Sequence, residues 1–269
     1  MLLFLVACGL TLAFGLLRIV NLAHGALYLC GAYVALELSQ RGVPYAMALI
    51  AAILVTALVG LALQRGLLAR VPGDELAQIL LTIGIAYIAS DLIVALVGAD
   101  PQTPPRPPGL DGTFAFAGGR FPVFRLVVIG VGAAIFVLVE TVLARTPLGR
   151  AIRAAVDDRE IARTVGVRVP LLFTTVFAFG AALAGLAGVL GGAFSGVTPQ
   201  SGFDVVILAL AIVVGGGLGS VRGAFVVALG VGFVVQFGTV YYPGFALFAT
   251  YIPIAIVLAV RPRGLFGAA

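Results

Sequence analysis

The sequence predicts an all-α fold: a polytopic transmembrane helical bundle of eight or nine spans, some of them discontinuous. Three observations predict it. The 269 residues are 62% hydrophobic and only 10% charged, with a mean hydropathy of +1.20. A soluble domain carries about 25% charged residues, so this chain cannot coat a water-facing surface of its size. Apolar runs near span length recur at 2–17, 22–38, 43–63, 77–97, 123–143, 171–194, 204–217, 223–238 and 245–260. A bilayer core about 30 Å thick asks for about 20 such residues per helix. The runs are unbroken and lack the period-2 alternation of barrel strands. Backbone polar groups in hydrocarbon must then be bonded within each segment, which leaves helices.

The elements follow in order. No positive region precedes the first run, since the first charge is Arg18, so the start does not read as a cleavable signal. Cys8 and Cys30 fall inside spans and read as small apolar fillers. Lysine is absent; all 16 basic residues are arginine. This excludes chemistry that needs lysine: the phosphate-binding P-loop, Schiff bases and pyridoxal phosphate. No catalytic, cofactor or metal site is expected, and a single His cannot by itself hold a metal.

Arginine accumulates on cytoplasmic loops. Twelve arginines (18, 65, 70, 145, 150, 153, 159, 163, 168, 222, 261 and 263) fall on one side of the alternating spans, and Arg41, Arg106, Arg120 and Arg125 on the other. The loop 144–170 and the C-terminus are therefore expected in the cytoplasm, with Met1 and the loop 98–122 outside. Pro101, Pro104, Pro105, Pro107, Pro108 and Pro122 make that outer loop extended or turned. Residues 113–121 alternate around Gly118-Gly119, which predicts a short hairpin at the membrane surface. Among ionisable residues near span ends, Glu140 is expected to pair with Arg145 or another loop arginine, and Asp204 to cap its helix. Asp91 has no clear partner, and a carboxylate in a span is a candidate functional group.

The loop 144–170 is the most informative stretch. Thr146 before Pro147 predicts a helix start, with Thr as cap and Pro at the first position. Asp157 and Glu160 have the spacing of a capping box, which predicts a second short helix ended by Gly166. Leu148, Ile152 and Ala155 share one face of the first helix, and Arg150, Arg153 and Asp157 lie on others. An amphipathic pair lying on acidic lipid is one reading. The carboxylates of Asp157, Asp158 and Glu160 oppose it, and mixed charge with small residues suits docking into a protein cleft.

This loop, with Thr146, Gly149, Arg150, Ala151, Arg153, Ala154, Asp157 or Asp158, Ala162 and Gly166, is similar to the coupling loop of bacterial ABC import permeases. Gly15, Asn21, Ala23, His24, Gly25, Tyr28, Gly31, Ala32 and Tyr33 match the pattern G-x5-N-x-A-H-G-x2-Y-x2-G-A-Y. That pattern resembles the signature of the branched-chain amino acid permeases. The run 215–224, rich in glycine, and the tail 261–267 (Arg-Pro-Arg-Gly-Leu-Phe-Gly) resemble the same family's late motifs. The family carries a further apolar stretch ahead of Gly9–Gly15, so either a short first span or a truncated start is expected here.

The resemblance implies one permease domain over 1–269 in a bacterial inner membrane. It implies ATP-binding cassette ATPase subunits, a second related permease, an external substrate-binding protein and an amino acid or amide cargo, with no nucleic acid. Thr146, Gly149, Arg150, Arg153, Asp157, Asp158, Glu160, Ala162 and Gly166 would couple to the ATPase. Asn21 and His24, three apart and so on one helix face, are candidates for the translocation path or for locking two helices. Gly25, Gly215, Gly216 and Gly219 are candidate helix breaks, or close packing and a turn. Urea or short amides are alternative cargoes on the same scaffold. An ion-coupled carrier would need carboxylates near mid-membrane, where few stand. A serine hydrolase built on Ser195 and His24 lacks the glycine two places before the serine.

Overall fold

The computed structural model describes residues 1–17, 21–71, 73–110, 112–116, 119–241 and 246–267. Arg18, the Ala117-Gly118 part of the expected hairpin turn and Phe245 at the head of the last run lie outside the described residues. The helices are α1 (Leu2–Leu17), α2 (His24–Gln40), α3 (Tyr45–Gly66), α4 (Glu75–Val97), α5 (Val123–Arg145), α6 (Pro147–Asp157), α7 (Arg159–Thr164), α8 (Val169–Ser195), α9 (Ser201–Gly216), α10 (Val221–Tyr241) and α11 (Ala246–Val260). A 3-10 turn, Leu68–Arg70, follows α3, and β1 (Thr113–Phe116) and β2 (Gly119–Pro122) precede α5. The strands pair antiparallel, Phe114 opposite Phe121, so the hairpin expected from the Gly-Gly alternation is present.

Each expected span has its helix, with no end shifted by more than three residues. Among the described residues, five helices are long and apolar enough to cross a membrane: α3 with its 3-10 turn, α4, α5, α8 and α10. α1, α9 and α11 are apolar but shorter. Short helices are tolerated at membrane depth when protein surrounds them. α1 and α2 meet that condition, with Phe4, Leu5, Ala7 and Cys8 on α1 and Leu27, Leu29 and Ala32 on α2 almost wholly buried. The long α8 is more than half buried and packs on α1, α2 and α3. α3, α4 and α5 instead turn rows of Leu, Ile and Val outward, as lipid-facing helices do.

Lipid offers no hydrophobic drive between helices, so association depends on close backbone approach through small residues. The core is built that way. A Cβ on Gly9 would lie 2.6 Å from Gly180 O, and one on Gly31 would lie 2.5 Å from Gly185 Cα. On α3 the buried residues Ala48, Ala52, Thr56, Gly60 and Gln64 recur every four positions. Gly60 and Thr56 of that stripe meet Ala181 and Gly185 of α8.

The two ends of the bundle differ. At one end lie the close of α3 with Arg65, α6, α7, the head of α10 and the tail. Arg222 on α10 pairs with Glu140 on α5 at 2.7 Å. The expected Glu140 partner was a residue of the loop itself; the α10 arginine arrives because α5 ends beside the start of α10. At the opposite end, the proline-rich strip pairs Gln102 with Val197 through two backbone bonds of 2.9 and 2.8 Å. There Arg106 Nε donates to Ala193 O at 3.3 Å and Arg125 lies 5.2 Å over the Phe194 ring. The arginine-rich segments are thus gathered away from Arg106 and Arg125.

One local expectation is corrected. Asp204 does not cap α9, which begins three residues earlier at Ser201 with Gln200 at the N-cap position. Asp204 sits in the first turn, where a carboxylate still complements the helix's positive end. Asp91 lies on an exposed face of α4 beside buried Ser90, whose Oγ donates to Pro199 O at 3.1 Å.

Candidate functional site

The residues singled out in the sequence fall at three places. The first is in the core. His24 opens α2, and its Nε2 donates to Val6 O on α1 at 3.1 Å. Val6 stands eleven residues before the last residue of α1. At 1.5 Å per residue, α2 therefore starts about 16 Å back along α1, within the bundle rather than at its end. The next residue, Gly25, abuts Gly202 in the first turn of α9: a Cβ on Gly202 would lie 2.9 Å from Gly25 O. Two helix starts thus meet in the buried interior. Their N-cap residues, Ala23 and Gln200, supply no side-chain bond. Such starts carry unpaired N–H groups and the positive end of the helix dipole.

Asn21 does not share a helix face with His24, as its spacing suggested. The helix begins at His24, and Asn21 lies in the turn before it, its carbonyl accepting from His24 N at 3.2 Å. Asn21 is 1% exposed and its Oδ1 has no hydrogen-bond partner among the described residues. Asn21, His24 and Gly25 therefore do come together, at a broken-helix junction. Ser195 donates to Gly191 O at 3.1 Å while His24 is committed to Val6 O, so both groups of the hydrolase alternative hold backbone partners instead.

The second place is a junction of two motifs. Leu265 N and Phe266 N of the tail donate to Gly215 O and Gly216 O at 2.9 and 3.0 Å. A Cβ on Gly264 would lie 2.6 Å from Gly217 Cα, and one on Gly15 would lie 2.8 Å from Gly219 Cα. Gly215, Gly216 and Gly219 thus let the end of α9, the end of α1 and the tail converge. This is the close-packing reading of the glycine run, and it lies apart from the Gly25–Gly202 crossing.

The third place is the elbow formed by α6 and α7. Thr146 Oγ1 accepts from Gly149 N at 3.2 Å and donates to Val142 O at 2.7 Å, so it caps α6 and ties it to α5. A Cβ on Gly149 would lie 2.6 Å from Val142 O, which is why α6 can fold back so tightly there. Arg153 donates to Leu143 O, placing a cation on the closing turn of α5. The expected capping box is displaced by one residue. α6 runs on through Asp157, and Asp158 adopts the extended cap conformation. Asp158 Oδ1 accepts from Glu160 N and Ile161 N at 2.8 and 3.0 Å. Gly166 ends α7 at φ +87°, its N–H bonded to Arg163 O.

The elbow is seated by one face and open on another. Ala155 and Ala162 are buried against Val169, Leu172 and Val176 of α8. Ile152 joins that cluster, but Leu148, expected on the same face, is 40% exposed. Arg150, Arg153, Asp157 and Glu160 are exposed. Ile161 on α7 and Val165 just past its end, four apart, are 63% and 71% exposed. Sequence reading missed this apolar pair; its signal was two bulky β-branched residues at helical spacing in an otherwise charged loop. It also missed Gln78, Thr82 and Ser90, the buried polar stripe of α4, legible as a four-residue period inside an apolar run.

Comparison with known proteins agrees with these features. Residues 1–260 match the family described as branched-chain amino acid transport system / permease component. The chain is 31% identical to the high-affinity branched-chain amino acid transport system permease protein BraD of Pseudomonas aeruginosa, covering 98% of this chain and 91% of that one. It is 29% identical to the LivH permease protein of the corresponding system in Escherichia coli K12, covering 98% and 90%. It is 32% identical to the LivM permease protein of Salmonella typhimurium over 79% of this chain and 55% of that one. No solved structure matches the chain with significance. A multi-pass membrane protein with this match across nearly its whole length belongs to the branched-chain amino acid transport system permease family.

Proposed function

We propose that the chain is the translocating subunit of an ATP-driven importer in a bacterial inner membrane, with branched-chain amino acids as cargo. The observation that carries the reading is the elbow. A loop of mixed charge, anchored to α8 and α5 on one side, presents Ile161 and Val165 outward. An exposed apolar pair in a charged setting is what a partner surface looks like. The partner is a separate ATPase, because a chain without lysine has no P-loop of its own. A second permease like LivM would complete the membrane part, and a binding protein would deliver cargo at the end where the proline-rich strip and hairpin lie. The gathering of arginines supports a cytoplasmic elbow and C-terminus.

Coupling follows from how the elbow is held. Force on the elbow passes through Ala155 of α6 and Ala162 of α7 into the start of α8, and α8 packs on α1, α2 and α3. The moving boundary is the crossing of glycine on glycine, where small residues permit sliding. The crossing of α2 and α9 is the proposed cargo station. Helix starts there would meet a carboxylate, and Asn21 Oδ1 would accept from an ammonium group. Reconstitution with the ATPase pair, the second permease and the binding protein tests this. Leucine uptake that requires ATP is expected. Uptake of urea or short amides in place of leucine would move the cargo assignment, and uptake that survives without ATP but fails without an ion gradient would defeat the reading.

A further inference from the structure

We propose that a cleft between the end of α3, the start of α4, α7 and the start of α8 binds the headgroup of phosphatidylglycerol. The cleft holds about 700 Å³, within the size range of small-molecule sites. Its wall carries the guanidinium groups of Arg65, Arg159 and Arg163 and the carboxylate of Glu75. Arg159 and Arg163 are four apart, so they share a face of α7. Arg159 lies 4.8 Å over the ring of Phe173, another wall residue. The start of α8 also opens here, with Val169 N bonded to Val167 O and Pro170 carrying no N–H. Guanidinium groups and the positive end of the α8 dipole both favour an anion.

A second observation narrows the ligand. Gln64 lines the cleft, is 7% exposed, and its Oε1 has no hydrogen-bond partner among the described residues. A buried acceptor calls for a donor. One ligand that carries a phosphodiester and hydroxyl donors together answers both needs, and a glycerol headgroup is such a ligand. The position favours a lipid over a soluble phosphate. Leu76 and Leu171 flank the cleft at 67% and 50% exposure, where acyl chains would run beside α3, α4 and α8. Basic pockets at the ends of membrane helices hold anionic headgroups on the same principle. The binding itself does not depend on the importer reading. Only its consequence does, since an occupied cleft would steady α7 for its partner.

The test is native mass spectrometry of the full chain released from vesicles of equal phosphatidylglycerol, phosphatidylethanolamine and phosphatidylcholine. Wild type is expected to retain phosphatidylglycerol. An R65Q/R163Q variant is expected to lose that adduct roughly tenfold. Glu75→Gln removes a carboxylate from the wall and is expected to retain more of it, a gain that misfolding cannot mimic. Equal retention by the double variant, a preference for either zwitterionic lipid, or binding of sn-glycerol 3-phosphate without any diacyl adduct would each overturn the proposal.

Discussion

Single residues in this chain do work that their neighbours in sequence cannot. Asp158 and Asp157 differ by one position, yet only Asp158 holds the two amide groups that open α7. Asp158→Ala is expected to cost about 1 kcal/mol of local stability, the usual worth of a cap. It would appear as faster amide exchange at Glu160 and Ile161, with Asp157→Ala nearly silent. A boundary of one residue is below what a capping pattern resolves, because either aspartate satisfies the motif until the backbone chooses. His24→Ala removes the bond to Val6 O that fixes where α2 starts. An interhelical bond in a membrane protein is worth about 0.6–2 kcal/mol, so unfolding in mixed micelles should show a loss of that order. Gly202→Leu acts differently, since its Cβ alone would meet Gly25 O at 2.9 Å. Overpacking costs about 1–3 kcal/mol in ordinary cores. Here the obstacle is backbone, so loss of folded protein on size exclusion is expected.

At the scale of elements, period and composition carried most of the information. A run of apolar residues announces a span whatever its surroundings, and Thr146-Pro147 announces a helix start through its own chemistry. What was not legible was depth. The span 22–38 gave no sign that α2 would begin partway along α1, because that depends on Gly25 meeting Gly202, far away in sequence. The two late motifs were legible one by one, but their convergence through Leu265 and Phe266 was not. The coupling candidates are small, polar or charged residues, and beside them the structure turns an apolar pair outward. An I161D/V165D variant is therefore expected to lose ATPase association in a pull-down by tenfold or more, as central apolar anchors do. Replacing exposed Arg150 by Gln should cost far less, as rim charges do.

For the whole molecule, the arrangement separates a rigid seat from lipid-facing cover. α8 is the seat: the elbow rests on its start, and α1, α2 and α3 cross it through glycine and alanine. α4 and α5 cover the outside with Leu, Ile and Val, and α4 turns its polar stripe of Gln78, Thr82 and Ser90 inward. Small residues at such crossings would let the helices slide past one another, as in shear motions of packed helices. In the proposed function, work would pass from α7 into α8. The most direct test compares ATP hydrolysis and leucine uptake in proteoliposomes holding the full transporter with wild-type or I161D/V165D permease. The variant is expected to lose uptake while the helical bundle keeps its melting temperature. Uptake at the wild-type rate by the variant, or by this chain with no ATPase present, would contradict it.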